Sequence, residues 1–128
     1  MTGHAIDHDW LVRKAEDLVQ RLKQSGWQGS DQGKTQASKA IEVAQDASSL
    51  RLFVNWLRYQ AAREREKKQP GFWSRSLDGQ LLAEAMVADL QEIQQQFGKD
   101  RTMQGVRLYL GYFRRALVGI RYLDRIQL

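Results

Sequence analysis

Arg51, Arg58 and Arg65 recur at seven-residue intervals, with Asn55 and Ala62 at the helical positions between them. On a helix these five residues form one polar stripe, and the helical rise carries Arg51 about 21 Å from Arg65, enough to follow several phosphates. A second set, Arg107, Arg114, Arg121 and Arg125, follows similar spacing near the C-terminus, with Arg115 beside Arg114 and no lysine after position 100. The guanidinium is planar and offers a donor fork that suits phosphate better than an ammonium does. The candidate phosphate-binding residues are therefore Arg51, Arg58, Arg65, Arg107, Arg114, Arg115 and Arg121. The competing reading is a solvated face whose charge is met by ion pairs to an acidic helix between the two sets.

Other chemistries are poorly served. Gly29-Ser-Asp-Gln-Gly33-Lys34-Thr35 resembles a phosphate loop only superficially. That loop needs four residues between its glycines and a strand before it; here there are three, after a helical segment. His4 and His8 stand i, i+4 apart near Asp7 and Asp9, a spacing that could share a metal on a helix. They fall in the first nine residues, where chains fray, so no metal site is expected. The chain has no cysteine, which removes thiol catalysis and disulfides. No general acid–base pair stands out. The expectation is a protein without catalytic residues, metal or cofactor.

The elements that must position the arginines read as helices. Ala, Leu, Gln, Glu, Lys and Arg are common, Val, Ile and Thr are sparse, and no segment shows convincing strand alternation. The first helix spans about Trp10 to Gln24, capped by Asp9, with Leu11, Ala15, Leu18, Val19 and Leu22 inward. Ser25 to Lys34, with its glycines, reads as a flexible loop. A weakly amphipathic second helix spans about Thr35 to Asp46. The third runs from Leu50, after a Ser48 or Ser49 cap, to about Lys68, and Gln69-Pro70-Gly71 stops it. The fourth spans about Asp78 to Phe97, after a loop over 69–77, and Gly98 closes it. The fifth spans about Thr102 to Ile126.

Leu50, Phe53, Val54, Leu57 and Ala61 form the core stripe of the third helix, and Val106, Tyr109, Leu110, Phe113, Leu117 and Ile120 that of the fifth. These are the two most apolar stripes, so the two helices are expected to pack on each other. Each also has a second apolar stripe: Leu52, Trp56 and Tyr59 on the third, Leu108, Tyr112, Ala116 and Leu123 on the fifth. That pattern places both helices centrally or leaves a face for another molecule.

A length of 128 residues gives one domain: an all-α, compact bundle of about five helices over 1–128, with 1–8 expected to fray. The net charge of +5 is unevenly spread. Residues 49–75 and 101–128 are strongly basic, while 76–100 hold five acids and one lysine. Such asymmetry bears on partners more than on fold. No apolar run is long enough for a membrane span, and Met1 to Asp9 does not read as a signal peptide. A soluble, cytoplasmic protein with no membrane partner is expected.

Three blocks, Trp10–Leu22, Ala47–Arg58 and Val106–Tyr122, occur in an order that resembles the small helical subunit of type III (III-A/III-D-like) CRISPR–Cas effector complexes. That family has an early helix of the first kind and a helix opening on Ser/Thr-x-x-Leu-Arg, matched by Ser48 to Arg51. Its last helix carries an aromatic, then Ala-hydrophobic-Val, then an aromatic after a basic residue. Tyr112, Phe113, Ala116, Leu117, Val118, Arg121 and Tyr122 match it. Gly119, Ile120 and Arg121 depart from the family's small-residue/Tyr/His ending, and 26–33 and Pro70–Trp73 look individual. The resemblance implies a non-catalytic subunit that supports assembly. Copies stack along the complex, line the groove holding guide and target RNA, and touch other CRISPR effector subunits. It carries Arg51 over most directly; Arg58, Arg114, Arg115 and Arg121 are supported by position and stripe together. Contacts that serve every guide must read phosphate and shape rather than bases.

A protein–protein adaptor without nucleic-acid contact is the alternative expectation. It would use Trp56, Tyr59, Trp73 and Tyr112 as exposed anchors.

Overall fold

A computed structural model describes residues 5–68 and 71–128. Among them are five α-helices: α1 (His8–Gln24), α2 (Asp31–Asp46), α3 (Leu50–Glu66), α4 (Leu82–Phe97) and α5 (Thr102–Val118). A short hairpin, β1 (Ser76–Leu77) and β2 (Gln80–Leu81), precedes α4, and a 3-10 turn, Ile120–Tyr122, follows α5. The all-α bundle expected from composition and periodicity is the fold observed.

The starts of α1, α2 and α3 are set by side-chain caps. Asp7, rather than Asp9, accepts the Trp10 amide at 3.0 Å and begins α1. Ser49 accepts the Leu52 amide at 3.2 Å and begins α3. Ser30 accepts the Gly33 amide at 3.3 Å, so α2 begins four residues before the expected Thr35. Each bond satisfies an amide the helix itself cannot pair. Gly33 is therefore helical and buried, not part of a flexible loop. A Cβ there would come within 2.5 Å of the Trp27 ring and 3.0 Å of Phe72, so glycine is needed for close approach.

The hairpin was not anticipated; the expected fourth helix started at Asp78. Asp78 and Gly79 both have positive φ, 52° and 85°, which is the backbone of the tight turn that Asp-Gly favours between two strands. Leu81 then donates its amide to Glu84 at 2.9 Å, and α4 starts at Leu82. At the other end, α5 stops at Val118 rather than Ile126, because Gly119 breaks the run and the chain tightens into the 3-10 turn.

Helix α5 is central, with α1 and α2 as its main neighbours and α4 next, while α3 rests mainly on α4. The expected direct pairing of the third and fifth helices is therefore replaced by an aromatic bridge. Phe72 and Trp73, from the segment read as a plain loop, are fully buried. Trp73 meets Trp56 of α3 edge-on, with centroids 6.3 Å apart, and stacks on Phe113 of α5 at 6.5 Å. Its indole N–H donates to Gln36 at 3.1 Å. Glu64 holds the bridge by accepting from the amides of Trp73 and Ser74 at 3.2 and 2.8 Å. Trp73 is thus core, not the exposed anchor that an adaptor would need.

The second apolar stripes divide. On α5 it is largely covered, with Ala116 buried and Leu108, Tyr112 and Leu123 packed against the core. On α3 it stays open: Leu52 is 54% and Tyr59 60% exposed, while Trp56 is half-buried. Of the two positions left open by the second stripes, α5 takes the central one and α3 keeps an uncovered face.

Candidate nucleic-acid interface

The polar stripe of α3 forms as its spacing demands. Arg51, Asn55, Arg58, Ala62 and Arg65 are all exposed along one face. This face borders a long open groove between α3 and α4. Its upper stretch, about 690 Å³, has Arg51 and Arg58 on one wall and Gln91, Gln94, Lys99 and Asp100 on the other. Its lower stretch, about 720 Å³, adds Arg65 and Glu84 over an apolar floor that includes Leu57, Ala61 and Val87.

No carboxylate among the described residues lies within ion-pair distance of Arg51, Arg58 or Arg65. Glu84 lines the lower groove without pairing with an arginine, and the other two acids of α4 are engaged elsewhere. Asp89 and Glu92 both meet Lys14 of α1, at 3.4 and 2.6 Å. Asp89 also accepts the hydroxyl of the buried Tyr109 at 2.6 Å. Burial pushes the Asp89 carboxyl up, against the pull of Tyr109 and Lys14. Burial, and then the Asp89 charge, raises the Tyr109 hydroxyl well above its ordinary value. Burial pulls the Lys14 ammonium down, but Glu92 and Asp89 outweigh it and raise it. The acidic helix therefore pins α1 and α5 and makes no ion pair with the α3 row.

The arginines of α5 do not line the α3–α4 groove. Arg107 turns to α2, donating from Nε to the Ala44 carbonyl at 2.8 Å and from Nη2 to the Ala47 carbonyl at 3.2 Å. It caps a helix end that has no basic residue of its own in the last turn. Arg114 donates from Nε to the Ser38 hydroxyl at 2.8 Å. Arg115 is exposed and lies 5.6 Å over the Tyr112 ring, whose hydroxyl is 2.6 Å from Nδ1 of His8. Arg121 is exposed beside Lys23, Trp27 and Ile120.

Neither a protein-family model, nor a curated protein, nor a solved structure matches this chain.

Seven arginines were thus singled out by spacing, and the structure brings three of them, Arg51, Arg58 and Arg65, to one groove. Sequence reasoning missed Lys99, Gln91 and Gln94, the opposite wall. Gln91 and Gln94 stand i, i+3 on α4, and that spacing is the signal that could have found them. Of the two histidines whose spacing could share a metal, His4 lies outside the described residues, and His8 places Nδ1 2.6 Å from the Tyr112 hydroxyl. Among the described residues no group of three or more His, Asp or Glu is placed to hold a metal. No helix there is long and apolar enough to cross a membrane.

Proposed function

We propose that this chain is a non-catalytic small subunit of a type III CRISPR RNA-guided effector complex, presenting its α3 face to the backbone of guide and target RNA. One observation carries the RNA-binding part. Arg51, Arg58 and Arg65 form an exposed row on a rigid helix, and no protein carboxylate among the described residues forms an ion pair with them. Such a row suits a polyanion, because the charges are already oriented and need not give up protein partners. The likeness of the three sequence blocks supplies the complex, its other subunits, its cytoplasmic setting and the stacking of copies. Arg115 and Arg121 are secondary candidates. Arg107 and Arg114 have protein partners, so their contribution to RNA is the smaller one.

Native tagging of the chain in its own cells tests the reading. Recovery of CRISPR effector subunits together with guide RNA, in ribonuclease-sensitive association, is the expected result. Recovery of other proteins with no guide RNA would overturn it. That outcome would favour an adaptor, a reading to which the open Leu52 and Tyr59 on α3 lend support.

A further inference from the structure

The arginine row is not the whole of the exposed α3 face. At about 100° per residue, Arg58, Arg51, Asn55, Tyr59 and Leu52 follow one another round an arc of about 120°. Arg51, Asn55 and Arg58 are exposed, and Tyr59 and Leu52 remain 60% and 54% exposed. The other tyrosines have partners. Tyr109 donates to Asp89, Tyr112 meets His8 under Arg115, and Tyr122 lies beneath Arg125 at 5.5 Å. Among the described residues Tyr59 has no hydrogen bond and no ring contact. An open aromatic ring and a leucine thus adjoin guanidiniums that lack carboxylate partners, with one amide side chain between.

A duplex would use only half of this face. Its bases are turned inward, so an approaching backbone would meet Tyr59 and Leu52 with charged phosphates and sugars and bury them for no gain. A single strand offers both chemistries at adjacent positions: phosphates for the guanidiniums, and the flat faces of unstacked bases for the tyrosine ring. Asn55, between the two rows, has a donor and an acceptor that sugar hydroxyls and base edges can meet.

We infer that the exposed face of α3 is a binding platform for unpaired RNA, with Arg51 and Arg58 on phosphates and Tyr59 stacking a base beside Leu52. The inference rests on the RNA reading above and names the form of RNA engaged: a segment not base-paired while it lies on α3. Sequence preference at this platform is weak, because every base has a π-face.

The test uses the full chain at low salt, with labelled oligouridylate, an abasic strand of the same length and a blunt RNA duplex of equal phosphate count. The oligouridylate is expected to bind more tightly than either control. Tyr59→Ala should weaken it about five- to about 150-fold, the range found for removing one stacking ring, while Tyr59→Phe keeps it. Tyr59→Ala should leave the salt slope unchanged, whereas Arg58→Ala should lower it by about 0.7. Equal binding of strand and duplex, or a Tyr59→Ala variant that binds the strand like the parent, would overturn the platform. If Arg58→Ala still weakened binding and reduced the slope, the backbone-binding reading would stand alone. Absence of salt-dependent binding to every probe would overturn both.

Discussion

Among single residues, the arginines separate into two kinds that share a chemistry and differ in what they face. Arg107 spends its donors on the terminal carbonyls of α2. Arg51 is exposed and has no ion pair among the described residues. Arg107→Ala should therefore cost about 1.5–3 kcal/mol of stability, the range for charge-assisted hydrogen bonds, while Arg51→Ala should stay within about 0.5 kcal/mol. Denaturant titration of the two variants measures the contrast. Tyr109 offers a second prediction. Its hydroxyl titrates at higher pH in the folded state than in the unfolded chain, where the ordinary value is 10.0. A raised folded value stabilises the fold below pH 10 and loses that contribution as pH climbs above it. The raised Lys14 ammonium acts in the same direction. The melting temperature should fall as pH rises beyond about 10, and Tyr109→Phe should flatten that fall. Near neutral pH the same substitution should cost about 1–3 kcal/mol, because it deprives the Asp89 carboxylate of its hydroxyl donor.

The helices α1, α3, α4 and α5 could be read from periodicity because their apolar stripes are long, and α1 and α3 also begin on polar capping side chains. Starts and stops were less legible, for local reasons. Asp7 and Asp9 are equivalent as caps by type, and only the path of the chain selects Asp7. Gly33 reads as a helix breaker, yet its lack of a side chain lets Trp27 and Phe72 close over α2. Gly33→Ala should therefore destabilise by about 1–3 kcal/mol, even though alanine is the better helix former. Thermal melts settle it, and a stabilised variant would mean that Trp27 can move aside. Asp78-Gly79 was legible in principle as a tight turn. It was hidden because its flanking strands are two residues each, too short for any alternation to show. The α3 stripe was fully legible from a spacing of seven, whereas the far wall of the groove required knowing that α4 lies beside α3.

In the whole molecule, the aromatic bridge decides what α3 can do. Phe72 and Trp73 fill the space between α3 and α5, and α3 is left with one side on α4 and a broad arc in solvent. Direct packing of the two most apolar stripes, as the sequence suggested, would have covered more of that arc. The bridge lies in a segment with no periodicity, so nothing in its pattern marked it as core. Trp73→Ala should cost about 3–5 kcal/mol in stability, the usual range for a buried large aromatic. Loss of the bridge should also loosen α3 against the bundle, visible as faster amide exchange in Leu50–Glu66 than in α5. With α3 held firm, its arginines keep fixed spacing, and contacts to phosphate are made without ordering a loop first. The central claim is that this fixed row holds RNA phosphates. The most direct measurement is the salt dependence of target-RNA affinity for the assembled complex carrying Arg51→Ala, Arg58→Ala or both. The account predicts a loss of affinity that is similar for every guide sequence, and a salt slope smaller in magnitude by about 0.7–0.9 for each arginine removed. An unchanged affinity and slope in the double variant, with the subunit still in place, would contradict it.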